Sequence, residues 1–177
     1  MEAYAAGRVD RFAVWVHESD RVMRADLQRR GYAFAESTRA MGMVLDHVRI
    51  PRPDMELGLA DWEEHRRIGG LPSGILAKAD RSTFYLLVAR LGGENVATAL
   101  ALDHDGDCGI YNVGTVEPAR RRGLATALTA LHLHQALARG CCTASLQSTP
   151  AAERVYAAAG FRDLGRILEY APDAASN

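Results

Sequence analysis

Residues 116–128 read Val-Glu-Pro-Ala-Arg-Arg-Arg-Gly-Leu-Ala-Thr-Ala-Leu, and this stretch concentrates more potential chemistry than any other in the chain. A strand ends there at a tight basic loop that opens directly into a helix. The first N–H groups of a helix have no intrahelical partners, and the helix dipole adds positive potential at the same spot. Gly123 lets backbone approach a ligand closely, and Arg120, Arg121 and Arg122 add mobile positive charge. Such a loop suits a diphosphate, which on a small protein usually belongs to a cofactor.

The loop is not a Gly-x-x-x-x-Gly-Lys-Ser/Thr phosphate loop, and no Gly-x-Gly-x-x-Gly follows a first strand, so nucleoside triphosphatase and dinucleotide folds are disfavoured. What it has is Arg120-x-x-Gly123-x-Ala125, of the form Arg/Gln-x-x-Gly-x-Gly/Ala. Downstream, Ala152, Tyr156, Gly160 and Phe161 spell Ala-x-x-x-Tyr-x-x-x-Gly-Phe. This second block reads as a helix closed by a left-handed glycine, with Phe161 opening the next strand. In order and spacing the two blocks resemble the GCN5-related N-acetyltransferases, over roughly residues 55–170 and most closely from Tyr111 to Tyr170.

That resemblance implies an α/β fold, a mixed and mostly antiparallel sheet with helices on both faces. It implies acetyl-CoA as acyl donor, a primary amine on a small molecule or a protein as acceptor, and direct transfer in a ternary complex. The central strand would splay from the strand at Cys142–Gln147, and the pantetheine arm would lie in the gap. Thr115, Val116, Arg121, Arg122, Gly123, Leu124, Ala125 and Thr126 would hold the cofactor, with the N–H of Val116 or a neighbour aimed at the thioester carbonyl. Tyr156 maps onto the residue that protonates the departing thiolate as general acid, and its place in the matched motif favours that role over a merely packed aromatic. Thr149 stands where relatives often carry an asparagine that binds the pantetheine or the substrate side of the site, and is expected among the cofactor contacts. Glu117, Tyr111, His104, His132 and His134 are weighed as general base, and none is singled out. Asp61, Glu63, Glu64, Asp103, Asp105 and Asp107 can receive a cationic amine or serve as ordinary surface charge. A reading from another class is a CoA-binding sensor or interaction module without turnover.

The chain's 177 residues, 48% of them hydrophobic, are enough for one domain or one domain and a fragment. A net charge of −1 argues against nucleic-acid binding. Cys108, Cys141 and Cys142 have no metal-ligand or disulfide spacing, and no metal is expected. With no membrane-length apolar run and no signal peptide visible, a soluble cytoplasmic protein is expected. Lys78 is the only lysine among many arginines, which reads as bacterial-like genome composition.

The elements that must position the loop divide into residues 1–50 and 51–177. The first part reads as strand (Arg11–Val16), helix (Asp20 to Gly31) and strand (Met41–Val48), a βαβ-like extension or the remnant of a first domain. After a proline-stiffened linker, the second part reads β-α-α-β-β-β-α-β-α-β: strand Glu56–Ala60, helix Trp62–Ile68, a short helix through Ala79, and strands Thr83–Ala89, Val96–Leu102 and Gly109–Val116. A helix over Arg121–Arg139, strand Cys142–Gln147, a helix from Pro150 and strand Phe161–Tyr170 complete it. Relatives usually end in two strands and this chain in about one. The exposed edge is expected to be covered by the Met41–Val48 strand or by a second subunit, a homodimer.

Overall fold

Side-chain caps and left-handed glycines fix several helix ends. Asp20 Oδ1 accepts the Met23 N–H at 2.9 Å and starts α1 (Arg21–Arg29), and Asp61 Oδ1 accepts the Glu64 N–H at 2.8 Å and starts α2 (Trp62–Gly69). Gly70 and Gly140, both left-handed, close α2 and α3 (Leu124–Arg139). The computed structural model describes residues 12–72 and 79–172, so the expected short helix through Ala79 falls almost wholly outside the described residues.

The strands are β1 (Val14–His17), β2 (Tyr32–Val44), β3 (Leu57–Leu59), β4 (Phe84–Leu91), β5 (Glu94–His104), β6 (Asp107–Thr115), β7 (Thr143–Ser148) and β8 (Arg162–Pro172), with α4 (Glu153–Ala158) between the last two. They form one sheet in the order β1-β8-β2-β7-β6-β5-β4-β3. Every neighbouring pair is antiparallel except β6–β7. The β4–β5 and β5–β6 hairpins turn on Gly92-Gly93 and Asp105-Gly106, all four at positive φ, which matches the twist of the flanking strands. Helices α1, α3 and α4 pack on one face, burying Leu27, Leu128, Leu133 and Tyr156; α2 packs on the other, burying His65 and Ile68.

The N-terminal extension is part of this same sheet. β7 and β8 are both antiparallel to β2 and so parallel to each other, and the β7–α4–β8 crossover leaves a gap one strand wide that β2 fills. β2 starts at Tyr32 and ends at Val44, whereas a strand over Met41–Val48 was expected. Its first half carries the polar run Glu36-Ser37-Thr38-Arg39, whose backbone is satisfied by β8. β1 covers the outer edge of β8, from Val14↔Tyr170 to His17↔Ile167, while β2, through Met41–Val44 of the expected Met41–Val48 strand, pairs with β7 and with the inner edge of β8. Two helices also start late. Arg121 and Gly123 take positive φ, which delays α3 to Leu124, and α4 begins at Glu153 and not at Pro150.

One ion pair staples α3 to β5. Arg139 donates from Nε and Nη2 to the two oxygens of Asp103 at 2.6 and 2.8 Å, and its guanidinium stacks 3.7 Å above the Tyr85 ring. Hydrogen bonding to Arg139 holds the Asp103 carboxyl below its ordinary value. Asp103 is therefore not available to an acceptor amine. Because the folded-state value is lowered, this contribution is present above pH 4 and is lost as pH falls through that value. Arg139→Met is expected to cost about 1–3 kcal/mol in urea unfolding at pH 7, and less at pH 3.

Candidate active site

The basic loop is built for an anion. Val116 to Ala119 close a short 3-10 turn, Arg120 is extended, and Arg121 (φ 62°) and Gly123 (φ 76°) are left-handed. The first backbone bond of α3 runs from Ala127 N–H to the Gly123 carbonyl, and among the described residues the N–H groups from Arg121 to Thr126 find no backbone acceptor. Alternating left-handed residues before a helix turn such donors into one concavity. Arg120 Nε donates to the Thr115 carbonyl at 3.3 Å, while Arg121 and Arg122 have no carboxylate partner among the described residues.

A groove of about 590 Å3 runs from this loop along the C-terminal half of β6, lined by Thr115, Arg121, Gly123, Leu124, Ala125 and Thr126 together with Ile68, Gly69, Val113, Gly114 and Val155. Its far wall is set by a strand separation. β6 pairs with β7 only from Asp107↔Thr143 to Ile110↔Leu146, although β6 runs on to Thr115 and β7 to Ser148. The separation begins at a β-bulge where Asn112 (φ 48°) and Val113 together oppose Ala99 alone, between the pairs Leu100↔Tyr111 and Thr98↔Gly114.

Not all the expected residues meet in this groove. The Val116 N–H donates to the Val96 carbonyl at 2.9 Å, so it cannot serve a thioester oxygen. Strand alternation instead turns the N–H groups of its neighbours Val113 and Thr115 toward the gap. Val116, Arg122, Thr149 and Tyr156 do not line the groove, although Val155 beside Tyr156 does. Thr149 is exposed just past the end of β7, and its carbonyl accepts from Ser148 Oγ and the Ala152 N–H. Tyr156 is only 7% exposed and packs edge-on against Phe161, and burial raises its phenol pKa. Its hydroxyl makes no hydrogen bond and is not closed off from solvent.

The base candidates scatter. Glu117 lies exposed in the 3-10 turn, and His104 is exposed beside Asp105 in the hairpin. His134 holds the linker through the Ile50 carbonyl at 2.8 Å. His132 is fully buried facing the Ala99 backbone, with neither ring nitrogen in a hydrogen bond. Tyr111 lies beside the bulge, half exposed, with its ring folded over Gly109, where a Cβ would fall 2.3 Å from the phenol oxygen. Among the acidic candidates, Asp61 caps α2, Glu63 and Glu64 pair with Arg66 and Arg67, and Asp107 accepts from Thr143 Oγ1 and Ser145 Oγ at 2.6 and 2.5 Å. A second groove, about 630 Å3, lies at the opposite end of β7 against Asp107, Thr143 and Arg162 and does not touch the loop.

The sequence reading passed over His65, which the structure buries completely between α2 and the sheet. Its signal was the helical stripe Trp62, His65, Ile68. Burial pulls His65 and His132 each down to about pH 4 from 6.5. Unfolding lets both rings take up protons, so stability falls as pH drops from 6.5 toward 4 and levels off below. Thermal unfolding is expected to show that decline in wild type and a shallower one in His132→Leu.

The fold and groove have parallels among solved structures. A GCN5-related N-acetyltransferase from Kribbella flavida superposes with TM-score 0.79 at 20% identity, covering 98% of this chain and 72% of that one. A GCN5-related N-acetyltransferase from Sphaerobacter thermophilus gives 0.73 at 22% identity, covering 96% and 64%. A putative GNAT acetyltransferase from Novosphingobium aromaticivorans gives 0.64 at 18% identity, covering 96% and 79%. At these identities the similarity speaks for the fold alone. No curated protein matches the chain. Among the described residues no helix is long and apolar enough to cross a membrane. The sequence profile of the acetyltransferase (GNAT) family matches residues 48–161, most of the chain's length, and with the loop, the bulge and the split sheet in place the chain belongs to that family.

Proposed function

We propose that the chain transfers the acetyl group of acetyl-CoA to a primary amine by direct attack within a ternary complex. The observation that carries this reading is the row of unpaired N–H groups from Arg121 to Thr126, opening onto a groove that leads to the β6–β7 split. Those donors and the flanking arginines fit a diphosphate, and the gap-facing amides of Val113 and Thr115 fit an extended pantetheine arm. Acetyl-CoA supplies an activated thioester carbonyl. An amide of β6 held beside that carbonyl stabilises the negative charge that grows on its oxygen as the amine attacks. Tyr156, a phenol that carries its proton at neutral pH and whose pKa burial raises further, is the donor for the leaving sulfur.

Among the described residues, none that lines the groove is a histidine or a carboxylate, and this favours the second reading, a CoA-binding module without turnover. The two readings separate in a free-thiol release assay with acetyl-CoA and a panel of primary amines, run beside calorimetry. Amine-dependent thiol release that is lost in Tyr156→Phe supports the enzyme. Tight binding without release supports the module, and no binding removes both.

A further inference from the structure

His65 sits at the centre of a hydrogen-bond chain in which every group has one orientation. The Thr98 hydroxyl donates to the Leu87 carbonyl at 2.9 Å, so it offers His65 a lone pair. His65 Nδ1, 2.8 Å away, must therefore carry the proton, and Nε2 is left as an acceptor for Asn112 Nδ2 at 3.3 Å. The chain ties β4, β5 and β6 together through one ring with no solvent exposure.

The far end of this chain is the bulge. Asn112 holds a left-handed conformation within a strand, which L residues seldom adopt without outside support. Two glycines give its side chain a place beneath α2. A Cβ on Gly69 would fall 2.1 Å from Asn112 Nδ2, and one on Gly114 would fall 3.0 Å from Gly69 Cα. The bulge is also where β6 leaves β7, just past the Ile110↔Leu146 pair.

We propose that His65 is a positioning residue for the acyl donor: through Asn112 it holds the bulge open and keeps the Val113 and Thr115 amides aimed into the gap. This rests on the CoA reading above. His65 touches no reacting atom. It acts on the half of the donor that carries the thioester and not on the half that carries the phosphates, because the loop at Arg121–Thr126 is built independently of it.

The test is calorimetry with two ligands, acetyl-CoA and adenosine 3′-phosphate 5′-diphosphate, which keeps the phosphates and lacks the pantetheine arm. His65→Leu is expected to weaken acetyl-CoA about tenfold and the isosteric Thr98→Val about threefold, with the arm-less ligand unchanged. Asn112→Gly keeps the left-handed backbone without its anchor and is expected to match His65→Leu. If His65→Leu does not fold, the other two variants decide. Parallel losses for both ligands, or full retention of acetyl-CoA affinity, overturn the proposal. Failure of wild type to bind either ligand overturns the CoA reading itself, before any variant is made.

Discussion

Gly123→Asp is expected to raise the dissociation constant for acetyl-CoA by about two to three orders of magnitude in calorimetry. Gly123 is left-handed at φ 76° and precedes the unpaired N–H groups that open α3. A carboxylate about 4 Å from a diphosphate costs roughly 4 kcal/mol at an effective dielectric near 20, and each 1.4 kcal/mol is about tenfold. Backbone strain adds about 1 kcal/mol, but to folding and not to binding selectively. Gly123→Ala separates the two effects. A Cβ there meets only the Met55 terminal methyl carbon, at 3.8 Å, so alanine brings the strain without the charge. Alanine should lower the melting temperature as aspartate does while costing no more than about tenfold in affinity. Equal affinity in wild type and Gly123→Asp would remove the loop from the binding site.

Deleting residues 1–44 is expected to abolish the folded state. Without β2, the parallel strands β7 and β8 stand two strand spacings apart, about 9–10 Å, with no backbone partner on the facing edges. The core around Leu133, Ile110 and Tyr156 also loses Met41, and the small core under α1 loses Val16 and Leu27. The lost burial of Met41, Val16 and Leu27 alone amounts to roughly 5–8 kcal/mol, comparable to the whole stability of a domain this size. Circular dichroism on the truncated chain should show no cooperative thermal transition. A cooperative transition with retained acetyl-CoA binding would make the N-terminal segment an accessory.

The two predictions draw on features that the sequence showed unequally. The loop and the Tyr156–Gly160–Phe161 turn are local: glycine, arginine and helix-start chemistry sit within a few residues, and Gly160 does take φ 100°. The caps at Asp20 and Asp61 and the Asp105-Gly106 turn are local in the same way. The place of β2 depends on partners about 100 to 140 residues away, and nothing in Tyr32–Val44 names them. Its Glu-Ser-Thr-Arg run looks like a loop because one face of the strand meets no helix. The late start of α3 comes from Arg121, a residue type that seldom takes positive φ, so the helical pattern of the sequence runs straight through it. The bulge left a trace in Gly109-Ile-Tyr-Asn-Val-Gly-Thr115, where Asn112 interrupts an apolar run. Asparagine enriches left-handed positions, but only the contact with His65 shows what that conformation does here.

The threading of β2 between β7 and β8 also dictates when this protein can fold. When Val44 leaves the ribosome, neither of its lateral neighbours has been translated. At ~5–20 residues per second, roughly ten seconds pass before the last of β8 emerges, and β2 waits unpaired meanwhile. Completion of the sheet therefore waits for the carboxy-terminal strand, and an unpaired strand edge of this kind is open to wrong partners until it arrives.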